Sequence, residues 1–267
     1  MPVALSSAER LLRSLGVVEA KQIDLEAIAY TMGAKVKYRP LDGCEARITG
    51  TMAKAVITVN ENSGRRRKRF SLGHELGHWR HHRGRAFECK SSDIGSGKDY
   101  DPFDPERQAD QFAADLLLPA YLFKPIASSL GRMTLDAAEN LSTEFDVSLT
   151  AAAIRLVELG PIPAMLVCHG PNRRKWFRRH PKLPEFFPPA ELDPDTYAKD
   201  VMDRKIERSR AAKVGADAWT SSPNAADFEV TEQTVRIGED AILTMVWWHD
   251  EAQIQAELRR SESRRHR

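Results

Sequence analysis

Residues 71–82 read SLGHELGHWRHH, and the rest of the chain is organised around them. His74, Glu75 and His78 have the spacing HExxH. Two imidazoles four positions apart on an α-helix lie on one face, one turn apart, where both can grip one metal ion. A glutamate next to the first histidine then faces a water at that ion and can take its proton. The setting strengthens a pattern that by itself recurs by chance. Leu72, Leu76 and Trp79 form an apolar stripe, and His74 and His78 fall on the far side of it. Gly73 and Gly77 line a third side. Each costs a helix about 1 kcal/mol relative to alanine, so the pair predicts close approach by a neighbouring element. The competing reading is an ordinary amphipathic helix with solvated histidines.

The chain has 267 residues, enough for one large domain or two smaller ones. Hydrophobic residues make up 42% and charged residues 29%, the balance of a chain able to bury a core. A net charge of only +2 argues against a nucleic-acid binder by bulk charge. The positive charge is clustered over 65–69, 173–179 and 259–267, runs that read as solvated surface or tail. Cys44, Cys89 and Cys168 are far apart and form no CxxC pair. They imply neither a cysteine zinc site nor a disulfide framework, and they suit a reducing cytoplasm. The first residues lack the pattern of a signal peptide. No stretch approaches the roughly 18 apolar residues that span a bilayer. A soluble cytoplasmic protein is expected.

Ser6 is a candidate cap for a helix carrying Leu11, Leu12 and Leu15, and residues 25–32 repeat the helical period up to Gly33. The period then changes to two. Ala34, Val36 and Tyr38 alternate with basic residues, and 47–51 and 53–59 read as two more strands turning near Gly50. A small antiparallel sheet is therefore expected before the HExxH helix. Residues 83–104 are polar and read as a long loop. Asp104-Pro105 starts another helix, carrying Ala109, Phe112, Ala113, Leu116 and Leu117 and stopping near Pro119. Helices over 135–144 and 148–159 follow, joined by Phe145-Asp146-Val147. Beyond Pro161 and Pro163, strands are expected over 164–169 and 175–178. A helix is expected over 197–213, and a hairpin over 228–248 turning at Gly238. The expected domains are 1–125, zincin-like; 126–160, helix-turn-helix-like; 161–256, a mixed α/β module read as sensor-like; and 257–267, a charged tail. The fold class is α+β.

A catalytic zinc takes three protein ligands and leaves a fourth position to water. One class of HExxH sites supplies a third histidine six residues after the second, with glycine midway. Here those positions hold Gly84 and His81, which excludes that class. Glu106, in the first turn of the next well-formed helix, is the better candidate. Asp110 projects from the same face one turn on, where it can accept the remaining N–H of a liganding histidine. The alternative is two surface acids on an amphipathic helix. His81, His82 and Tyr100 are unranked candidates for an oxyanion donor.

The stretch RFSLGHELGHW followed by ERQADQFAADLLLP resembles the ImmA/IrrE family of metallopeptidases over roughly residues 25–160. It shows that family's HELGH helix and its second helix of form E-x-x-A-(N/D)-x-F-A-x-x-L-L-x-P. Leu118 stands where methionine is common. The resemblance implies a gluzincin-like fold with His74, His78 and Glu106 as metal ligands and Glu75 as the catalytic carboxylate. It implies zinc, with manganese as the second ion. The implied substrate is a helix-turn-helix transcriptional repressor, whose cleavage lifts repression after stress or in mobile elements.

Two other functions compete. The first is a DNA-binding regulator, from the helix-turn-helix form of 135–159. However, the second helix begins Ser148, Leu149, Thr150, Ala151, Ala152, Ala153 and lacks the Arg, Asn or Gln side chains that read base edges. The second is a protease-like module that docks a repressor without cutting it, which the intact HExxH and Glu106 oppose.

Overall fold

A computed structural model describes residues 4–83, 104–222, 225–249 and 251–256, together with the backbone of 87–90. It is an α+β structure divided into two compact units. The first contains Met1–Pro125 and Ser142–Ser148, the second Ile126–Leu141 and Leu149–Arg267. The segment expected to form a helix-turn-helix-like domain of its own is thus shared between the two units. Residues 257–267, the expected tail, lie outside the described residues. Among the described residues no helix is long and apolar enough to cross a membrane.

The first unit opens with α1 (Ser7–Ser14), where Ser6 and Glu9 cap the helix reciprocally, and α2 (Leu25–Thr31), capped by Asp24. Strands β1 (Ala34–Arg39), β2 (Cys44–Gly50) and β3 (Ala55–Asn60) follow, then α3 (Arg65–His81) and β4 (Phe87–Lys90). The sheet order is β1-β3-β2-β4. The expected antiparallel sheet is in fact mixed: β2 is antiparallel to β3 and β4, but β1 and β3 are parallel. Chain direction explains it. Short turns reverse the chain after β1 and again after β2, and β3 then enters between them, running the same way as β1. The region expected to be loop over 83–104 contains β4, which adds to the free edge of β2.

Helix α3 lies against α4 (Pro105–Leu117). The glycines of α3 permit this contact. A Cβ on Gly77 would stand 2.7 Å from the Cα and 2.9 Å from the carbonyl oxygen of Ala109, and one on Gly73 would stand 3.3 Å from the Cβ of Ala113. Small residues thus face small residues at two levels, one turn apart. Trp79 fixes the other side of α3 by donating its indole N–H to the carbonyl of Met32 at 2.7 Å. Helix α5 (Ala120–Leu130) was not foreseen, and it contains Pro125, a residue type that ordinarily breaks a helix interior. In fact the Pro119 carbonyl accepts the N–H groups of Leu122 and Phe123 and so begins the helix. Helix α6 (Leu135–Glu144) precedes α7 (Leu149–Leu159), and the dividing lines between the units fall inside α5 and α6.

The second unit holds β5 (Ala164–His169), β6 (Arg174–Arg179), α8 (Tyr197–Met202), β7 (Ala212–Gly215), β8 (Glu229–Arg236) and β9 (Ile242–Trp247). These strands form an antiparallel sheet in the order β6-β5-β9-β8-β7. Met165, Val167, Val230, Ile242 and Val246 bury one sheet face together with Ala198, Val201, Phe186, Trp219 and Trp248. The helix expected over 197–213 stops at Met202. Beyond it the sequence offers charged residues without an apolar stripe, Arg204 turns to φ 60°, and the chain enters β7. The basic run of β6 is less solvated than expected: Arg174 donates to the carbonyls of Pro188 and Pro189, and Arg179 to that of Pro184.

Glu232 is fully buried beside this core, accepting the N–H of Ala198 at 3.1 Å and the indole N–H of Trp219 at 2.6 Å. Burial outweighs those donors and pushes its carboxyl from 4.5 up to about 7. The folded protein therefore holds a proton that the unfolded chain releases. The stability this contributes is complete below about pH 4.5 and is lost as pH rises through about 7. Thermal unfolding across that window should show the loss in the native chain, and Glu232→Gln, which mimics the protonated acid, should flatten it. Gly77→Ala should cost about 1–3 kcal/mol by overpacking, and Gly73→Ala less, when denaturant unfolding is compared.

Candidate metal centre

The site is assembled by the α3–α4 contact. Asp104 caps α4 by accepting the N–H of Glu106 at 3.0 Å, and Pro105 occupies the first turn, so Glu106 emerges at the helix start. As numbering rises along α3 it falls along α4: Gly73 faces Ala113, Gly77 faces Ala109, His74 meets Asp110 and His78 meets Glu106. The helices are antiparallel, and their register brings Glu106 to both imidazoles and Asp110 to that of His74.

One donor atom each from His74, His78 and Glu106 lie within 4.8 Å of one another. The His74 and His78 Nε2 atoms stand 3.0 Å apart. Glu106 places Oε2 3.1 Å from His74 Nε2 and Oε1 3.3 Å from His78 Nε2. Nitrogen and oxygen ligands at about 2.0–2.1 Å on a tetrahedral ion would stand about 3.3 Å apart. The spacing fits. So does the chemistry, since three lone pairs converging this closely repel unless a cation, either a proton or a metal ion, lies among them. Of the residues proposed from the sequence, the structure brings His74, His78, Glu106 and Asp110 together.

The histidines are not solvated. His74 is fully buried, and every residue from Ser71 to Trp79 is buried. Burial favours a neutral His74, but its hydrogen bonds to Asp110 and Glu106 outweigh that and lift its pKa to about 9. Burial opposes ionisation of Glu106 in turn, yet the two imidazoles hold its carboxyl well below the usual carboxylate range. Asp110 Oδ1 lies 2.8 Å from His74 Nδ1, which leaves Nε2 to face the cluster. Glu75 is buried next in the chain to His74, and its charge favours the protonated imidazole.

Of the oxyanion candidates, His81 meets the Ser7 hydroxyl at 3.2 Å and stands edge-on to Phe112, His82 lies against His78, and Tyr100 lies outside the described residues. The basic run at the start of α3 was read as solvated surface. Arg65 and Arg66 are indeed exposed, and with the half-buried Arg69 they gather around Asp146, at 2.8, 3.8 and 3.3 Å. Asp146 sits at φ 52°, a conformation Asp tolerates better than most residues, and that turn residue was the available signal.

Two buried histidines and a half-buried glutamate on paired antiparallel helices beside a mixed sheet form the site arrangement of a zincin-like fold. Residues 29–157 match the model of the IrrE N-terminal-like domain, Peptidase_M78. Among solved structures it is similar to a Mycobacterium tuberculosis transcriptional regulator, with a TM-score of 0.63 at 13% identity over 92% of this chain and 77% of that one. At that identity the likeness shows a shared fold. Comparison of the sequence with curated proteins gives no match.

Glu106→Ala should remove most bound metal. Asp110→Asn should weaken binding by about 10- to 100-fold, the scale for partners that orient a liganding histidine. Elemental analysis after dialysis of the full chain checks both, and full metal retention by Glu106→Ala would contradict the assignment.

Proposed function

We propose that this protein is a metal-dependent endopeptidase that cuts one selected cytoplasmic protein, a helix-turn-helix transcriptional repressor, and so relieves repression. The observation that carries the reading is the convergence of His74, His78 and Glu106 beside Glu75. Zinc suits the two-nitrogen, one-carboxylate donor set, and manganese is the second ion considered. His74 Nε2, His78 Nε2 and a Glu106 oxygen would hold it. Bound there, the ion would polarise the scissile carbonyl and make water a stronger acid.

The chain's own residues supply the rest. Glu75 takes a proton from the attacking water and passes it to the departing nitrogen. Asp110 fixes the ring orientation and tautomer of His74 through Nδ1. Glu75 is not in the ligand set, so its catalytic work separates from metal binding.

The repressor assignment rests on the resemblance of the HELGH and second-helix motifs to a family acting on such proteins. Direct base reading by α7 finds little support: the helix packs on β5 and β6, and Arg155 is buried with Glu158 3.7 Å away. The region beyond Pro161 is assigned a regulatory or recruiting role, because the donors all lie within 74–106.

Glu75→Gln should keep fold and metal but lose nearly all hydrolysis, since an amide cannot accept the proton of water at neutral pH. Co-expression of the native chain with candidate repressors, followed by intact-mass analysis, should give one new cut that Glu75→Gln abolishes. Repressor captured intact by both forms would show a docking module instead, and broad degradation of unrelated unfolded proteins would show a housekeeping peptidase.

A further inference from the structure

His78 has a neighbour on its own helix whose position matches that of Asp110 beside His74. His82 follows one turn after His78, and its N–H bonds the His78 carbonyl at 2.7 Å, which holds the two side chains on one helix face. His78 turns Nε2 toward the His74–Glu106 cluster and Nδ1 toward His82 Nδ1, 3.3 Å away. The ring centroids are 5.4 Å apart. Two imidazole nitrogens at this distance repel unless one carries a proton. His78 needs the lone pair of Nε2 for the ion, so its proton sits on Nδ1. Donor–acceptor balance then makes His82 Nδ1 the acceptor, with the His82 proton on Nε2.

We propose that His82 is a positioning residue: as a hydrogen-bond acceptor it fixes the tautomer and ring orientation of His78 for metal binding. This rests on the metal-site reading above. The two liganding histidines are thereby held differently. His74 Nδ1 faces a carboxylate oxygen at 2.8 Å, and His78 Nδ1 an imidazole nitrogen at 3.3 Å.

The test compares native full-length chain with His82→Ala, His82→Leu and His82→Gln. Zinc affinity is measured by competition with a chromophoric chelator, cobalt loading by its visible absorption, and stability by thermal unfolding without metal. His82→Ala and His82→Leu should bind zinc about 10-fold more weakly, the lower end of the range for such partners. They should also shift the cobalt bands while metal-free unfolding stays unchanged. His82→Gln, whose side-chain oxygen can accept from His78, should recover most of the affinity. His82→Leu keeps the bulk of the ring, so the comparison stands even where His82→Ala does not fold. Unchanged affinity and cobalt spectrum in His82→Leu would overturn the proposal. So would weakened binding that His82→Gln does not restore and that tracks a fall in metal-free stability. Failure of the native chain itself to bind zinc would overturn the metal site, and this role with it.

Discussion

The close approach of α3 and α4 is the constraint on which the site depends. Gly77 lets the backbone of Ala109 come nearer than any side chain would allow, and Gly73, one turn away, eases a looser contact in which a Cβ would stand 3.3 Å from that of Ala113. That distance puts Glu106 and Asp110 within hydrogen-bonding reach of His78 and His74. A longer separation would leave two buried imidazoles facing two carboxylates across a gap, a costly arrangement in an apolar interior. The intrinsic helix cost of the glycines is therefore offset by a contact that only glycine permits.

Around that contact the chain holds both ends of α3. The Trp79 indole bonds the C-terminal end of α2, and Asp146 gathers Arg65, Arg66 and Arg69 at the start. Basic residues in a first helical turn oppose the helix dipole, so an anion among them is an expected compensation. His74 and His78 thus sit on a helix tethered at both ends, a condition for holding a fixed site geometry.

Much of the site was legible in the sequence because it depends on local rules. Spacing places His74 and His78 on one face, and Asp104-Pro105 marks where α4 starts and hence where Glu106 and Asp110 project. The glycine pair even foretold the neighbour, though not its identity. What was not legible depends on tertiary pairing. Nothing in β1 says that β3 will slot in beside it and run parallel, and nothing local in 83–104 marks β4 as the partner of β2. Pro119 was expected to close α4 and it does follow the end of that helix, but nothing local showed that its carbonyl also begins α5. The charge runs at Arg65–Arg69 and in β6 were legible only as surface, because composition does not reveal which carboxylates and carbonyls the fold will bring to them.

The second unit shows a comparable use of a buried polar group. Glu232 ties α8 and Trp219 to the sheet through its two oxygens, at the expense of keeping a carboxyl in an apolar setting. Its donors come from the second unit alone, whereas the three residues proposed to hold the ion, His74, His78 and Glu106, come from the first. The central claim concerns those three donors. Zinc-edge X-ray absorption of the zinc-loaded full-length chain tests it most directly. The account predicts a shell of nitrogen and oxygen atoms at about 2.0–2.2 Å, with an imidazole signature matching two histidines and no sulfur. A sulfur shell at about 2.3 Å, or an imidazole signature that survives when both His74 and His78 are replaced, would contradict it.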